Sequence, residues 1–228
     1  MNHSRAVWPA AMVLALALSG CLSDEPESTA AAPEDPIAAQ QEVIAEELLT
    51  PYQSTSGQFE MSFPATWTVI ETFDGGAVVL ANKQEAMERY QSGAAPEEAD
   101  LVVNIGFLPA TLFEQRELRR FEVTDDLAPD DYLRAVLPIF EPAEGATLGE
   151  VELVRLPDGP EAGAVNVEAP DREGRILALA AGPRVRVIVS MTTAPAQRDG
   201  YDEVVEAIAA TTTFSGDGDA LYGRLLTG

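Results

Sequence analysis

The sequence predicts an α+β domain, an α/β/α sandwich with a mainly antiparallel sheet. Three observations carry that reading. Between residues 150 and 193 four strand-like segments follow one another across short turns, the pattern of an antiparallel meander. Helical apolar periodicity lies before that run, in 129–140, and again after it, in 199–210. Between 58 and 81 the chain reads as three short strands broken at Pro64 and at the glycine pair 75–76. Helices on either side of an antiparallel sheet make a layered α+β domain.

The elements follow in order. In GQFEMSFPATWTVIE, Phe59, Met61 and Phe63 alternate with Gln58, Glu60 and Ser62, the period of a half-buried strand. Pro64 to Thr66 breaks it, and Trp67, Val69 and Glu71 continue as a second strand. Asp74-Gly75-Gly76 is a hairpin-type turn into the apolar strand AVVLAN. Asn82 stands three residues before Glu85, a capping-box spacing, and Ala86, Met87 and Tyr90 share one face of the helix it would open. LVVNIGFL at 101–108, closed by Pro109, is the most apolar run and reads as a central strand. A short helix is expected between Ala110 and Val123, anchored by Leu112, Phe113 and Phe121. A clearer one opens at Pro129, with Leu133, Val136, Leu137 and Phe140 at i, i+3, i+4 and i+7, and Pro138 should kink or end it. The meander strands are 150–156, 162–169, 175–181 and 184–193. A last helix over 199–210 turns Tyr201, Val204, Val205 and Ile208 inward, and TTTF gives a final short strand.

The N-terminus is an address. Residues 1–20 hold one basic side chain, Arg5, then an apolar run from Ala6 to Leu18, then small residues. That is a secretory signal peptide, and the run is shorter than the roughly 20 apolar residues of a membrane span. Leu18-Ser19-Gly20-Cys21 resembles the lipobox of bacterial lipoproteins, in which the cysteine is acylated and becomes the new N-terminus. Cys21 is therefore the expected lipidation site, with acyl chains that give stable anchoring. Residues 21–54 read as the lipid anchor and a disordered or helical tether, with IAAQQEVIAEELL (37–49) its helix candidate. Residues 55–215 are the globular domain and 216–228 a C-terminal tail.

The chain carries 14 Lys+Arg and 38 Asp+Glu. Without residues 1–20, which include Arg5 and the one histidine, 13 basic groups face 38 acids, a net charge of −25. Such a surface repels nucleic acid, whose binding depends on neutralising phosphates. With one cysteine in all, no internal disulfide is possible, and the fold must rest on an ordinary core.

The same counts narrow the chemistry. A mature chain with no histidine and a lipidated cysteine excludes Ser-His-Asp and Cys-His catalysis and any His- or Cys-ligated zinc. A Ser-Lys pair would have to use Lys83, the one lysine, and no phosphate-binding glycine loop is present. Asp125-Asp126, Asp130-Asp131 and Asp217-Gly218-Asp219 are rich in carboxylates, but none matches a calcium-loop pattern, and helix capping accounts for Asp130 and Asp131. Arg116, Arg119 and Arg120, with Arg184 and Arg186 on a later strand, read as partners of neighbouring acids; the alternative is a small anion-binding patch. No catalytic residue, cofactor site or metal site is assigned.

Three segments together, GQFEMSFPATWTV, VVLANKQEAM and VVNIGFLP, with the closing helix and its TTTF strand, give the chain over about 55–215 a pattern that resembles PsbP-like domains. That α/β/α sandwich also occurs in bacterial DcrB-type lipoproteins and in a Ran-binding nuclear import factor. The resemblance implies a non-enzymatic binding or assembly factor, and no functional residue of the family maps onto a position here. The expected function is thus a lipoprotein of the bacterial cell envelope, anchored to a membrane on its extracytoplasmic side and binding an unidentified protein partner. The alternative is a carrier that holds a small apolar or lipid ligand between sheet and helices. An enzyme would need a cleft with convergent carboxylates of raised pKa.

Overall fold

The computed structural model describes residues 49–72, 76–114, 121–124, 126–139, 145–157, 159–182 and 184–216. In chain order they form β1 (Leu49–Gln53), β2 (Phe59–Pro64), β3 (Thr68–Thr72), β4 (Ala77–Ala81), α1 (Gln84–Ser92), β5 (Leu101–Pro109), α2 (Ala110–Phe113), α3 (Pro129–Val136), β6 (Thr147–Leu148), β7 (Glu152–Arg155), β8 (Glu161–Ala169), β9 (Arg172–Gly182), β10 (Val185–Thr193), α4 (Arg198–Thr211) and β11 (Thr213–Phe214). A 3-10 turn over Leu137–Ile139 closes α3, where Pro138 removes the amide that a continuing α-helix would need. The protein is α+β, and all of its strand pairs are antiparallel among the described residues.

Eight strands form the main sheet in the order β3-β4-β5-β10-β9-β8-β6, with β7 also paired to β8. β7, β8, β9 and β10 are the expected four-stranded meander. β5 enters between β4 and β10, so the most apolar segment of the chain becomes a central strand. Successive side chains of a strand point to opposite faces. Leu101, Val103, Ile105 and Phe107 therefore join one core with Val185, Val187, Val189 and Met191 of β10 and with Tyr201, Val204, Val205 and Ile208 of α4. The opposite face takes α3, where Tyr132, Leu133 and Val136 pack on Val165, Val167, Ile176 and Ile188. On that same face α1 sets Ala86 and Met87 against Ala81 and Val102.

A second sheet, β1-β2-β11, lies beside α4. Its Phe59, Met61, Phe63 and Phe214 point into the first core. The Phe107 ring of the large sheet stands 4.8 Å from Phe59 and 5.3 Å from Phe214, centroid to centroid. Tilted ring pairs of this kind add about 0.5–1.5 kcal/mol each beyond the area they bury. The link continues at the backbone, where Ser62 N–H donates to Thr211 Oγ1 at the end of α4, 2.9 Å away.

Several expectations need correction. Residues Leu49–Gln53, placed ahead of the boundary at residue 55, form β1. Tyr52 and its neighbours pair with β2, so 49–53 is strand and not tether. Most of the helix candidate at 37–49 lies outside the described residues, and its last residue opens β1. Asn82 does not cap α1: the N-cap is Lys83, without a side-chain cap bond. Asn82 instead donates to Ala99 O (2.7 Å) and accepts from Leu101 N–H (3.0 Å), fastening the 93–100 loop to the start of β5. Trp67 precedes β3 and packs in the turn, 7% exposed. Of the helix expected over 110–123, only Ala110–Phe113 is α-helical among the described residues, and Phe121 is in a 3-10 turn.

Candidate functional site

The one site residue assigned from sequence, Cys21, lies outside the described residues, as do Arg116, Arg119, Arg120, Asp125, Asp217 and Asp219. Arg184 and Arg186 are described, and each is engaged. Arg184 donates to Glu114 Oε1 (2.8 Å). Arg186 donates to Leu127 O (2.8 Å) and sets its guanidinium 5.3 Å from the centre of the Tyr132 ring. Asp126 accepts from the Thr124 hydroxyl, and Asp130 and Asp131 both hold Arg134. Among the described residues no group of three or more His, Cys, Asp or Glu side chains could hold a metal ion.

Two buried charge clusters carry the electrostatics. The first centres on Asp100, whose side chain is 1% exposed. Arg89 of α1 grips it with two parallel bonds, Nε to Oδ2 at 2.6 Å and Nη2 to Oδ1 at 2.7 Å. Lys83 Nζ lies 2.9 Å from Oδ1, and Glu97 N–H donates to Oδ2 at 2.9 Å. Burial pushes the Asp100 pKa up, but the bonds from Arg89, the Glu97 amide and Lys83 overcome it and hold the carboxyl below its usual range. The only lysine is thus a structural cation, closing the Ser-Lys route.

The second cluster was not foreseen from sequence. Arg175 stands on β9, next to Leu177's face of the sheet, and is 8% exposed. On α4, Asp202 and Glu206 are one turn apart and so share a face. Arg175 Nη1 meets Asp202 Oδ2 at 2.9 Å and Glu206 Oε1 at 3.0 Å, and Nη2 lies 3.6 Å from Glu152 of β7. Burial raises the pKa of both Asp202 and Glu206, and the attraction of Arg175 only partly offsets it. Asp202 Oδ1 and Arg175 Nε are buried and take no hydrogen bond among the described residues. Two carboxylates of raised pKa meet the electrostatic condition for acid–base chemistry. Their geometry answers to another use: both turn onto one guanidinium and bind α4 to the sheet. The local signal was available, since Asp202 and Glu206 flank the apolar stripe of α4 at helical spacing, but Arg175 is remote in sequence.

A third contact joins the two sheets. Glu71 of β3 accepts from Tyr52 O–H (2.5 Å) and Thr55 N–H (2.7 Å) through Oε1, and from Thr55 O–H (2.5 Å) through Oε2. Burial and the adjacent carboxylate push the Tyr52 phenol up to about 12.

Among the described residues, Asp100 and Arg175 are thus paired within the fold. Among the described residues the exposed large apolar side chains are Tyr90, Leu148 and Leu153, and the two leucines lie on one edge of the main sheet. Tyr90 directs its hydroxyl to Asn104 Oδ1 (2.7 Å).

No family model matches the chain, and no curated protein matches it. Among solved structures it is similar to the solution structure of cyanobacterial PsbP (CyanoP) from Synechocystis sp. PCC 6803. The identity is 14%, the TM-score 0.44, and the match covers 73% of this chain and 92% of that one. This likeness transfers no functional residue. No helix among the described residues is long and apolar enough to cross a membrane.

Proposed function

We propose that this protein is a membrane-anchored, extracytoplasmic lipoprotein that acts as a non-enzymatic binding or assembly factor for a protein partner. Leu18-Ser19-Gly20-Cys21 supplies the anchor, with Cys21 as the acylated residue. The observation that carries the binding half is the aromatic contact between the two sheets. Phe59, Phe107 and Phe214 close the space between the two sheets with ring against ring, so recognition falls to the outer surface. The buried carboxylates point the same way, since each described one turns onto an arginine, a lysine or a backbone amide of its own fold.

The anchor and the partner are tested separately. Cys21→Ala should abolish labelling by a fatty-acid analogue and release the protein from the membrane fraction; unchanged retention refutes the anchor. In-cell crosslinking of the lipidated protein, followed by pull-down, should enrich a protein over a control carrying only residues 1–48. Failure to enrich one refutes the binding reading.

A further inference from the structure

The edge of the main sheet at β6 and β7 has free hydrogen-bonding groups, exposed leucines and an excess of acid on one face. Leu156 N–H donates to Pro160 O (3.2 Å) and closes the β7-β8 hairpin. Hydrogen-bonded and non-hydrogen-bonded pairs alternate along an antiparallel ladder. Glu152 and Val154 therefore bond to β8, while Leu153 and Arg155 turn their N–H and C=O groups away from it. The same alternation holds at β6, where Gly149 N–H donates to Asn166 O (2.9 Å) and Leu148 faces outward. These outward groups have no partner among the described residues. An open row of donors and acceptors is the template for an added strand.

The side chains define what that strand would carry. Leu148 and Leu153 stand opposite Val167 and Gly163, so both lie on the α3 face, 40% and 48% exposed. They are four positions apart along β8, about 13 Å. On the α4 face stand Glu152 of β7 itself and, one strand further in on β8 opposite Thr147, Glu168, 61% and 68% exposed at the side chain, with Arg175 at 3.6 Å from the first and Arg198 at 3.8 Å from the second. Arg155 is the basic side chain of β7, and it reaches Glu161 at 3.2 Å.

We infer that β7 is a docking edge for an extended segment of a protein partner, in which apolar residues alternate with Lys or Arg. Added as a further antiparallel strand, such a segment lays its apolar side chains beside Leu153 and a cation beside Glu152. The period of two suits a segment whose alternate side chains meet different chemistry. A second copy of this chain fits less well, because it brings a net charge of −24 and the same glutamate to the edge. The inference rests on the proposal that the protein binds a protein partner.

The test uses the full chain and a labelled ten-residue peptide of alternating Lys and Val. Anisotropy should report binding, and the Glu/Val counterpart should bind at least tenfold more weakly. Amide exchange at Leu153 and Arg155 should slow when the Lys/Val peptide is present. Leu153→Pro, which removes both an outward donor and the exposed leucine side chain while leaving the bonds to β8 in place, should weaken binding more than tenfold while the thermal unfolding curve is kept. Where Leu153→Pro fails to fold, Leu153→Lys is read in its place and should weaken binding by a similar factor. Unchanged exchange at 153 and 155, or variant binding within twofold of the wild type, overturns the inference. So does slowed exchange there in a dimer without peptide, which would make a second copy the occupant. A cellular partner captured equally by wild type and the Leu153 variants overturns the edge and leaves the binding reading standing.

Discussion

Arg175 and Asp100 show how one element of chemistry, a buried ion pair, behaves differently in two settings. Around Asp100 the donors outnumber the acid: Arg89, Lys83 and the Glu97 amide face one carboxylate, which stays ionised. Around Arg175 the acids outnumber the base, and burial raises the pKa of Asp202 and Glu206. Removing one partner of a buried pair costs about 3–5 kcal/mol, because the other charge is left uncompensated. Arg175→Met should show that loss at neutral pH, and the loss should shrink on acidification. Without the arginine both carboxylates hold protons more strongly, and a group whose folded pKa is raised contributes stability that is lost as pH rises through it. Asp100→Asn should cost a similar amount, but its deficit should close only below the ordinary carboxylate range. There the wild type loses the contribution of a carboxyl whose folded pKa is depressed. Chemical unfolding of both variants at several pH values reads the two windows; deficits that close together would contradict the assignment.

At the scale of elements, backbone contact decides where a side chain can be added. Gly163 on β8 lies directly under the start of α3, and a Cβ there would fall 2.4 Å from Pro129 O and 2.7 Å from the Asp130 Cα. Gly163→Ala must therefore push α3 off the sheet, at a cost of about 1–3 kcal/mol, typical of overpacking. Gly106, on central β5, has nothing within 4 Å of the same position. Gly106→Ala should leave stability unchanged or raise it by about 0.4–1 kcal/mol through the unfolded chain. Thermal melts of the two variants check this contrast, and equal effects would refute it. The elements also differ in how far the sequence discloses them. The meander and α4 were legible because their periodicity and turn residues agree with the final packing. β1 was not, because LTPYQ lacks alternation and contains a proline; it becomes a strand through its pairing with β2, at an edge where a missing amide is tolerated. Asn82 was misread because capping spacing is a local signal, while its actual partners, Ala99 and Leu101, lie across a loop. The Arg175 cluster needs three elements brought together, and the β7 edge needs the ladder register, so neither could be seen in the linear chain.

For the whole molecule, the two kinds of carboxylate predict where stability peaks. Start at neutral pH and lower it. Asp202 and Glu206 take up protons in the folded chain before the unfolded chain does, so stability rises toward the ordinary carboxylate range. Below that range the order reverses. Asp100, Glu71, Asp130 and Asp171 have depressed folded pKa values, so the unfolded chain binds protons first and stability falls. The maximum should therefore lie on the acid side, at about pH 4–5, where ordinary Asp and Glu titrate. Relief of self-repulsion in so acidic a chain pushes in the same direction. Salt separates the two causes, because exposed charges are screened over about 8 Å at physiological ionic strength while buried pairs are screened much less. Melting temperatures from pH 8 to pH 3 should show an acid-side gain that shrinks in high salt without vanishing. What remains should disappear in the Asp202→Asn, Glu206→Gln double variant. A maximum at neutral pH, or a residual gain that survives the double variant, would mean that the α4 carboxylates do not carry raised pKa values.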